Sequence, residues 1–175
     1  YYPFLLQSLK RNAMATNSHT LNISNEQDLV TICQALAKHI TLPCMIGLTG
    51  DLGTGKTTFV RYLTESLGST EWVNSPTYSI IQQYTIPQGT IVHVDLYRCT
   101  TESDIDTLDL FSNDTNNTLF IIEWIEQSAQ FNPDIHIQLD YPAIDSTTTS
   151  PPTTRRLTFT TATPNLLSAL NAIQL

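Results

Sequence analysis

The sequence predicts an α/β fold: a mainly parallel central sheet that is flanked by helices and carries antiparallel edge strands. Helical and strand patterns alternate along the chain, which is typical of parallel sheets with crossover helices. Two segments, Met45–Leu48 and Leu119–Ile122, are short apolar runs of the kind found in strands buried on both faces. Two later segments, Ile135–Tyr141 and Arg156–Thr160, alternate apolar and polar residues and predict a strand pair.

The first predicted helix covers residues 25–40. Apolar side chains recur at helical spacing between Leu29 and Leu36. Ser24 is the expected N-cap, and the acidic Glu26 suits the first turn, where the helix dipole favours negative charge.

A second helix is expected from Gly55 to Leu67, because helical spacing continues until Gly68. The other predicted elements follow in chain order: an extended segment Trp72–Pro76, a strand Tyr78–Ile86, a turn at 87–89, a strand Thr90–Asp95, a helix Ser103–Phe111, a polar loop at 113–117, the strand Leu119–Ile122, the strand pair joined by a Thr/Ser/Pro-rich linker at 142–154, and a last helix from Pro164 to Leu175.

The length of 175 residues fits one domain, and we assign it to residues 19–175. Residues 1–18 are expected to be a disordered extension or a non-native segment, since the chain begins with Tyr1 and Met14-Ala15 resembles a natural start. No apolar run approaches the roughly 20 residues that span a bilayer, so no membrane contact is expected.

The charge and cysteine content narrow the classes of partner and site. A net charge of −8 disfavours unaided binding to a nucleic-acid backbone, so another protein would have to hold any nucleic acid. Three cysteines without C-x-x-C spacing argue against a disulfide framework or a zinc site. Free thiols fit a reducing cytoplasm, which is the predicted location.

The segment Gly50–Thr57 reads Gly-Asp-Leu-Gly-Thr-Gly-Lys-Thr and fits the phosphate-binding pattern G-x-x-x-x-G-K-[ST]. Its position between a predicted strand and a predicted helix is the one that the pattern requires. Glycines let backbone N–H groups close around phosphate oxygens, and the next helix directs its positive dipole end at them. Lys56 is expected to reach the β- and γ-phosphates, and the Thr57 hydroxyl to ligate Mg²⁺. The sequence therefore predicts a P-loop NTPase-like fold.

Two apolar strands end in a carboxylate, at Asp95 and at Glu123. Ligands collect at such strand ends in open α/β sheets, and a phosphate-binding loop needs an acidic partner for Mg²⁺. One carboxylate can hold the metal while the other orients water, although an acid that merely caps the next helix remains an alternative. His93 shares a strand face with Asp95, and a packed, hydrogen-bonded histidine is the commoner role. Arg98 either stabilises phosphate charge or forms an ion pair.

Two classes of nucleotide-binding protein fit the sequence poorly. Guanine specificity usually comes with an N-K-x-D element, and the only lysines are Lys10, Lys38 and Lys56, none in that pattern. This argues against a GTPase and for ATP. Small-molecule kinases of this fold usually carry an arginine-rich lid, for which the chain has too few basic residues.

Four segments together strongly resemble the bacterial TsaE (YjeE) family: Gly50–Phe59, Ser75–Tyr78, His93–Arg98 and Ile122–Trp124. The similarity extends from about residue 22 to residue 140, and the S-P-T-[FY] and D-L-Y-R elements make it specific. The family is the small ATPase of the system that makes N6-threonylcarbamoyladenosine at position 37 of tRNA. The resemblance implies that ATP is bound with Mg²⁺ and hydrolysed to ADP.

The resemblance also implies roles for matching residues. Thr57 and Glu123 would ligate Mg²⁺, and Asp95 would assist hydrolysis beside the γ-phosphate, together with Lys56. Ser75-Pro76-Thr77 would be a mobile, nucleotide-sensing loop. The residues that would wrap the phosphates or lie near the nucleotide are Gly53, Thr54, Gly55, Lys56, Thr57, Thr58, Thr77, Trp124, Glu26, Glu126 and Arg156.

The partners implied by the resemblance are TsaD and TsaB, and ATP hydrolysis would reset the TsaD–TsaB complex between catalytic cycles. The tRNA would be met only through that complex. An acidic chain with few arginines is expected to be a weak ATPase alone, because it lacks a finger to stabilise transition-state charge. Two other functions remain open: a small-molecule kinase, and a nucleotide switch in which hydrolysis is incidental.

Overall fold

The structure, a computed structural model, describes residues 17–111, 115–142 and 154–175. In these ranges seven strands form one sheet: β1 Asn17–Ile23, β2 Cys44–Thr49, β3 Ile81–Ile86, β4 Gly89–Asp95, β5 Thr118–Glu123, β6 Ile135–Asp140 and β7 Arg155–Thr161. The helices of the same ranges are α1 Glu26–Ala37, α2 Lys56–Ser66, α3 Glu102–Asp106 and α4 Pro164–Asn171, with a 3₁₀ turn at Ile125–Gln127.

The strand order is β1-β7-β6-β2-β5-β4-β3. The four central strands are parallel, since β2 pairs in parallel with β5 and β6, and β4 pairs in parallel with β5. The outer strands are antiparallel: β3 on β4 at one edge, and β7 and β1 beyond β6 at the other. This confirms the predicted fold class, a mainly parallel sheet with antiparallel edge strands.

The sheet buries a hydrophobic core on each face. Side chains of α1, α2 and α4, such as Leu36, Phe59 and Leu170, pack on one face with alternate residues of the strands. On the other face Phe120 and Ile122 of β5 pack with Ile105 of α3. The face covered by α1 and α2 is the one on which the candidate site lies.

The cap of α1 differs from the expected one. Asn25, not Ser24, is the N-cap: its Oδ1 accepts the Asp28 N–H at 3.0 Å, and the Asp28 carboxylate accepts the Asn25 N–H at 3.3 Å. The Ser24 N–H also donates to Asp28, at 2.7 Å. The reciprocal bonds between Asn25 and Asp28 therefore make Asn25 the N-cap. At its other end the helix stops at Ala37 rather than at residue 40.

Several other bounds differ from prediction for local reasons. β3 begins at Ile81 rather than Tyr78, because Ile80 has a positive φ of 66° and its N–H donates to Pro76 O in a turn. The third helix ends at Asp106, five residues before Phe111, and α4 ends at Asn171. The strand β1 was not predicted, since only Leu21 and Ile23 of its seven residues are buried.

Two predicted segments lie wholly or mostly outside the described residues. Of the predicted extension 1–18, residues 1–16 are not described, while Asn17 and Ser18 begin β1. Of the predicted linker 142–154, residues 143–153 are not described. In the described ranges, no helix has both the length and the apolar character needed to cross a membrane.

Candidate nucleotide-binding site

The loop from Gly50 to Gly55 joins the end of β2 to the start of α2. Gly50 has a φ of 137°, and a Cβ there would lie 2.2 Å from the Leu139 carbonyl oxygen, so a side chain cannot be accommodated. Gly55 caps α2 in the left-handed region at a φ of 103°, and with no side chain it leaves the first-turn N–H groups uncapped from its own position. These amides at the positive end of the helix dipole form a site for an anion.

Lys56 lies at the centre of this loop and is only 5% exposed. Its ammonium donates to the carbonyl oxygens of Gly50 at 2.6 Å and Asp51 at 2.9 Å. The same ammonium lies 3.8 Å from the centroid of the Trp124 ring, within cation–π range. Removal from water lowers the pKa of Lys56, and nearby carboxylates, with Glu123 the strongest, oppose that shift.

Thr57 and Glu123 bring the first turn of α2 to the end of β5. The Thr57 hydroxyl donates to the Glu123 carboxylate, at 2.9 Å from Oε1 and 3.2 Å from Oε2. Glu123 is 2% exposed, and its Oε1 is also 2.8 Å from Nε2 of the fully buried His93. The predicted metal ligands are therefore adjacent.

Asp95 lies beside Glu123, because the two residues are paired across β4 and β5. Its Oδ2 accepts hydrogen bonds from the hydroxyls of Thr77 at 2.6 Å and Ser75 at 3.3 Å. Its Oδ1 accepts the Tyr97 N–H at 3.0 Å. The Ser75–Thr77 segment thus covers the Asp95 carboxylate, which is 3% exposed.

Trp124 and Glu126 follow β5 directly and lie beside Lys56. Trp124 adopts a left-handed conformation with a φ of 59°, which turns the chain and places its ring between Lys56 and Tyr97. Partial desolvation raises the pKa of Glu126, while its own backbone N–H and the charge of Lys56 oppose the rise. Trp124 therefore contacts the phosphate-binding loop through Lys56, and Glu126 lies close enough for the charge of Lys56 to act on it.

Comparison with known proteins identifies the family. The sequence profile of the family described as "Threonylcarbamoyl adenosine biosynthesis protein TsaE" matches residues 23–150. The chain belongs to the TsaE family. It is 33% identical to the tRNA threonylcarbamoyladenosine biosynthesis protein TsaE of Haemophilus influenzae over 108 residues, 61% of this chain and 68% of that protein.

Other relatives agree with this assignment. The protein of the same name from Rickettsia bellii is 32% identical over 130 residues, 74% of this chain and 89% of that one. The one from Bacillus subtilis is 32% identical over 115 residues, 66% of this chain and 72% of that one. The crystal structure of B. subtilis YdiB superimposes with a TM-score of 0.65 at 22% identity, covering 91% of this chain and 95% of that chain, which confirms the fold.

In this TsaE family member, the late strand β7 presents a different arginine to the loop from the one singled out in the sequence. Arg156 lies 3.6 Å from Asp140 in a partly exposed ion pair. Arg155 instead lies next to Gly55, where a Cβ would be 3.8 Å from its Nε. That Nε is buried and has no hydrogen-bond partner among the described residues. Strand alternation was the missed signal, since Arg155 is in phase with the buried Leu157 and Phe159.

Tyr141 is a second residue that the sequence reasoning missed. Its hydroxyl donates to the Gly53 carbonyl oxygen at 2.9 Å, and its ring lies 5.8 Å from the Arg155 guanidinium. It therefore connects the end of β6 to the phosphate-binding loop. Within the loop, the Thr54 hydroxyl donates to the Asp51 carbonyl oxygen at 2.9 Å, which fixes the turn.

Glu26 lies against α2 rather than in the loop. Its carboxylate accepts a hydrogen bond from the Tyr62 hydroxyl and lies 3.9 Å from the Arg61 guanidinium. Tyr62 is four residues after Thr58, so the two share one face of α2. Glu26 thus lies along the helix face that begins at Thr58.

The residues present fit a magnesium ion that is completed by nucleotide phosphates. In the described ranges no group of three His, Cys, Asp or Glu side chains forms a ready metal site. One hydroxyl, from Thr57, and one carboxylate, from Glu123, meet at the mouth of the loop. Mg²⁺ usually takes one or two protein oxygens and fills its other positions with water and phosphate.

Proposed function

We propose that this chain is a Mg²⁺-dependent, ATP-binding and ATP-hydrolysing accessory protein required for threonylcarbamoylation of adenosine 37 in tRNA, acting on the TsaD–TsaB complex. The observation that carries the proposal is the contact of 2.9 Å between the Thr57 hydroxyl and the Glu123 carboxylate, beside Lys56. Family membership supports the pathway, and the names of the relatives refer to tRNA threonylcarbamoyladenosine biosynthesis.

The phosphates of ATP bind in the loop 50–55 against the first-turn amides of α2. Lys56 then exchanges its bonds to the Gly50 and Asp51 carbonyl oxygens for bonds to phosphate oxygens. Arg155, whose buried Nε lacks a partner among the described residues, pairs with the nucleotide from the β7 side. The nucleoside lies along the α2 face that carries Thr58, with Glu26 near its far end.

Thr57 and Glu123 would hold Mg²⁺ through the hydroxyl and the carboxylate. When bound, the ion would neutralise phosphate charge, including the charge that develops during phosphoryl transfer. The carboxylate is suited to this role because it is already directed at the loop by Thr57 and His93.

Asp95 orients the attacking water beside the γ-phosphate. The water oxygen bonds to the γ-phosphorus, and the bond from that phosphorus to the oxygen bridging the β- and γ-phosphates breaks. ADP leaves with the electron pair of that bond, and the water proton passes to Asp95 or to a phosphate oxygen. Lys56 stays paired with the phosphates throughout.

The Ser75–Thr77 segment supports a low activity of the isolated protein. Three donors, the hydroxyls of Ser75 and Thr77 and the Tyr97 N–H, occupy the Asp95 carboxylate. The two hydroxyls take both lone pairs of Oδ2, so this oxygen can bind water only after they leave it. Docking on TsaD–TsaB provides the means to move this segment, and the net charge of −8 supports contact with tRNA only through that complex. The cytoplasm, where tRNA is modified, stays the predicted location.

Reconstitution of tRNA modification tests the proposal. TsaD, TsaB, threonylcarbamoyl donor and tRNA are incubated with ATP and either the wild-type chain or the Asp95→Asn variant, and modified adenosine is counted per TsaD. We expect many turnovers with the wild type and few with the variant. Full turnover with an Asp95→Asn protein that no longer hydrolyses ATP would favour the nucleotide-switch function. ATP consumption that needs a small-molecule acceptor, and not TsaD–TsaB, would favour a kinase.

A further inference from the structure

His93 and Glu123 form a buried contact behind the predicted metal position. His93 is 0% exposed on β4, and its Nε2 lies 2.8 Å from Oε1 of Glu123. His93 is two residues before Asp95, which is itself paired with Glu123 across the sheet, so the contact runs diagonally between the strands. Both side chains lie on the face that α2 covers.

Among the described residues, only one nitrogen of the His93 ring has a hydrogen-bond partner. A carboxylate oxygen accepts, so Nε2 carries the proton and donates to Oε1. Nδ1 is buried without a hydrogen-bond partner among the described residues, and the His93 ring packs near that of Tyr84, with centroids 6.2 Å apart. The bond to Glu123 is therefore the one polar interaction of the His93 ring among the described residues.

The burial of His93 argues against a role as the general base that activates the attacking water. Its ring is fully covered, whereas Thr57 is half-buried and Gly53 in the loop is exposed. A general base must reach the water that it activates, and His93 faces Glu123 instead. The ring therefore acts through the carboxylate.

The two oxygens of Glu123 have different surroundings. Among the described residues, Oε1 accepts from His93 and Thr57, while Oε2 accepts only a longer bond from Thr57, at 3.2 Å. The His93 bond fixes the rotation of the carboxylate about its last torsion, which is otherwise soft. Oε2 keeps the weaker of the two contacts, so it is the oxygen more available to an ion.

We propose that His93 is a positioning residue that orients the Glu123 carboxylate for Mg²⁺ and thereby sets the metal-dependent part of nucleotide affinity. The proposal rests on the metal role of Glu123 in the proposed function. Partners of metal-ligating side chains typically change metal affinity by 10- to 100-fold when removed.

The test compares three variants that keep, move or remove the donor to Glu123. In His93→Gln the amide nitrogen occupies the ε position and can still donate to Glu123, and the lost δ nitrogen has no partner. In His93→Asn the amide is at the δ position and falls short of Glu123. In His93→Leu a side chain of similar size carries no donor.

ADP binding to the full chain is measured by titration calorimetry, once with excess EDTA and once with Mg²⁺, and unfolding of the nucleotide-free protein is followed by circular dichroism. We expect the wild type and His93→Gln to bind ADP more tightly with Mg²⁺ by the same factor. His93→Leu and His93→Asn should lose about 10-fold of that gain. The ADP affinity measured in EDTA should be equal in all folded variants. A general loss of structure would instead lower the ADP affinity in EDTA as well.

The outcomes separate this proposal from the function on which it rests. A folded His93→Leu protein with the full Mg²⁺ gain would overturn the role of His93, as would a folded His93→Gln protein that loses the gain. If His93→Leu and His93→Asn do not fold, His93→Gln is the deciding variant: a kept Mg²⁺ gain supports the role of His93, and a lost gain overturns it. A wild-type protein without any Mg²⁺ gain would instead overturn the metal role of Glu123.

Discussion

The Thr57 hydroxyl lies 2.9 Å from Oε1 of Glu123, although 66 residues separate the two along the chain. The parallel pairing of β2 with β5 brings them together, because it sets the end of β5 beside the start of the loop. The parallel pairing of β5 with β4 places Asp95 beside Glu123. Three segments that are distant in sequence thus converge at one edge of the sheet.

Removal of the Thr57 hydroxyl should weaken Mg²⁺-dependent binding specifically. Thr57→Val keeps the shape of the side chain but cannot ligate an ion or donate to Glu123. We expect the increase of ADP affinity on adding Mg²⁺ to fall by about 10-fold, the loss of one charge-assisted contact. Thr57→Ser, which keeps the hydroxyl, is the matched control. Equal losses with and without Mg²⁺, measured by calorimetry, would contradict a metal role.

Asp95→Asn should separate hydrolysis from binding. The amide keeps the shape of Asp95 but cannot accept a proton, so we expect phosphate release to fall by about 100-fold or more while ADP affinity stays within a few-fold. Phosphate release is measured with saturating ATP, and affinity by titration. An unchanged rate would remove Asp95 from the reaction, and a parallel loss of affinity would indicate a binding role instead.

Arg155 and Arg156 are adjacent in sequence but have different surroundings, so a variant of one is a control for a variant of the other. Arg155→Gln should weaken ATP binding by about 10-fold, because a charged hydrogen-bond donor beside Gly55 is lost. Arg156→Gln, which breaks only the partly exposed pair with Asp140, should change affinity less than about 3-fold. The two variants are compared in one ATP titration series. The reverse order of effects would assign the nucleotide contact to Arg156.

The lowered pKa of Lys56 should appear in the pH dependence of nucleotide binding. Phosphates bind the charged ammonium, so ADP affinity should fall as pH rises through this pKa, which lies below the usual 10.5. The folded chain also binds fewer protons than the unfolded chain between those two values, so Lys56 makes the nucleotide-free protein more stable as pH rises across that window.

ADP titrations from pH 7 to 10, with folding checked by circular dichroism, measure this dependence. Lys56→Ala is the control: it should bind ADP about 100-fold more weakly and without the alkaline decline, since the charge is absent throughout. A wild-type affinity that stays constant until the ordinary lysine range would contradict the shift. An alkaline decline retained in Lys56→Ala would assign it to another group.

The fold class and the phosphate-binding loop could be predicted because both depend on local patterns. Gly50–Thr57 fits a spacing that backbone geometry requires, and the apolar runs before it and before Glu123 mark buried strands. β1 could not be predicted, because an edge strand with one open face has few apolar residues, here Leu21 and Ile23. It is recognisable only once β7 offers a partner.

The side-chain contacts of the site could not be predicted from the sequence for a different reason. That His93 faces Glu123 rather than water depends on the diagonal between β4 and β5, which only the strand order supplies. The bonds from the Ser75–Thr77 segment to Asp95 likewise span 18 or 20 residues and a turn at Ile80 that no local pattern indicated.

Stimulation of ATP hydrolysis by TsaD–TsaB tests the central proposal most directly. Phosphate release by the wild-type chain is measured alone, with TsaD–TsaB, and with each partner separately, and Asp95→Asn is the blank for contaminating ATPases. The proposal predicts a slow rate for the isolated chain that rises at least about 10-fold with the TsaD–TsaB complex and stays near the blank for Asp95→Asn. A wild-type rate that equals the blank, or that TsaD–TsaB leaves unchanged, would contradict it.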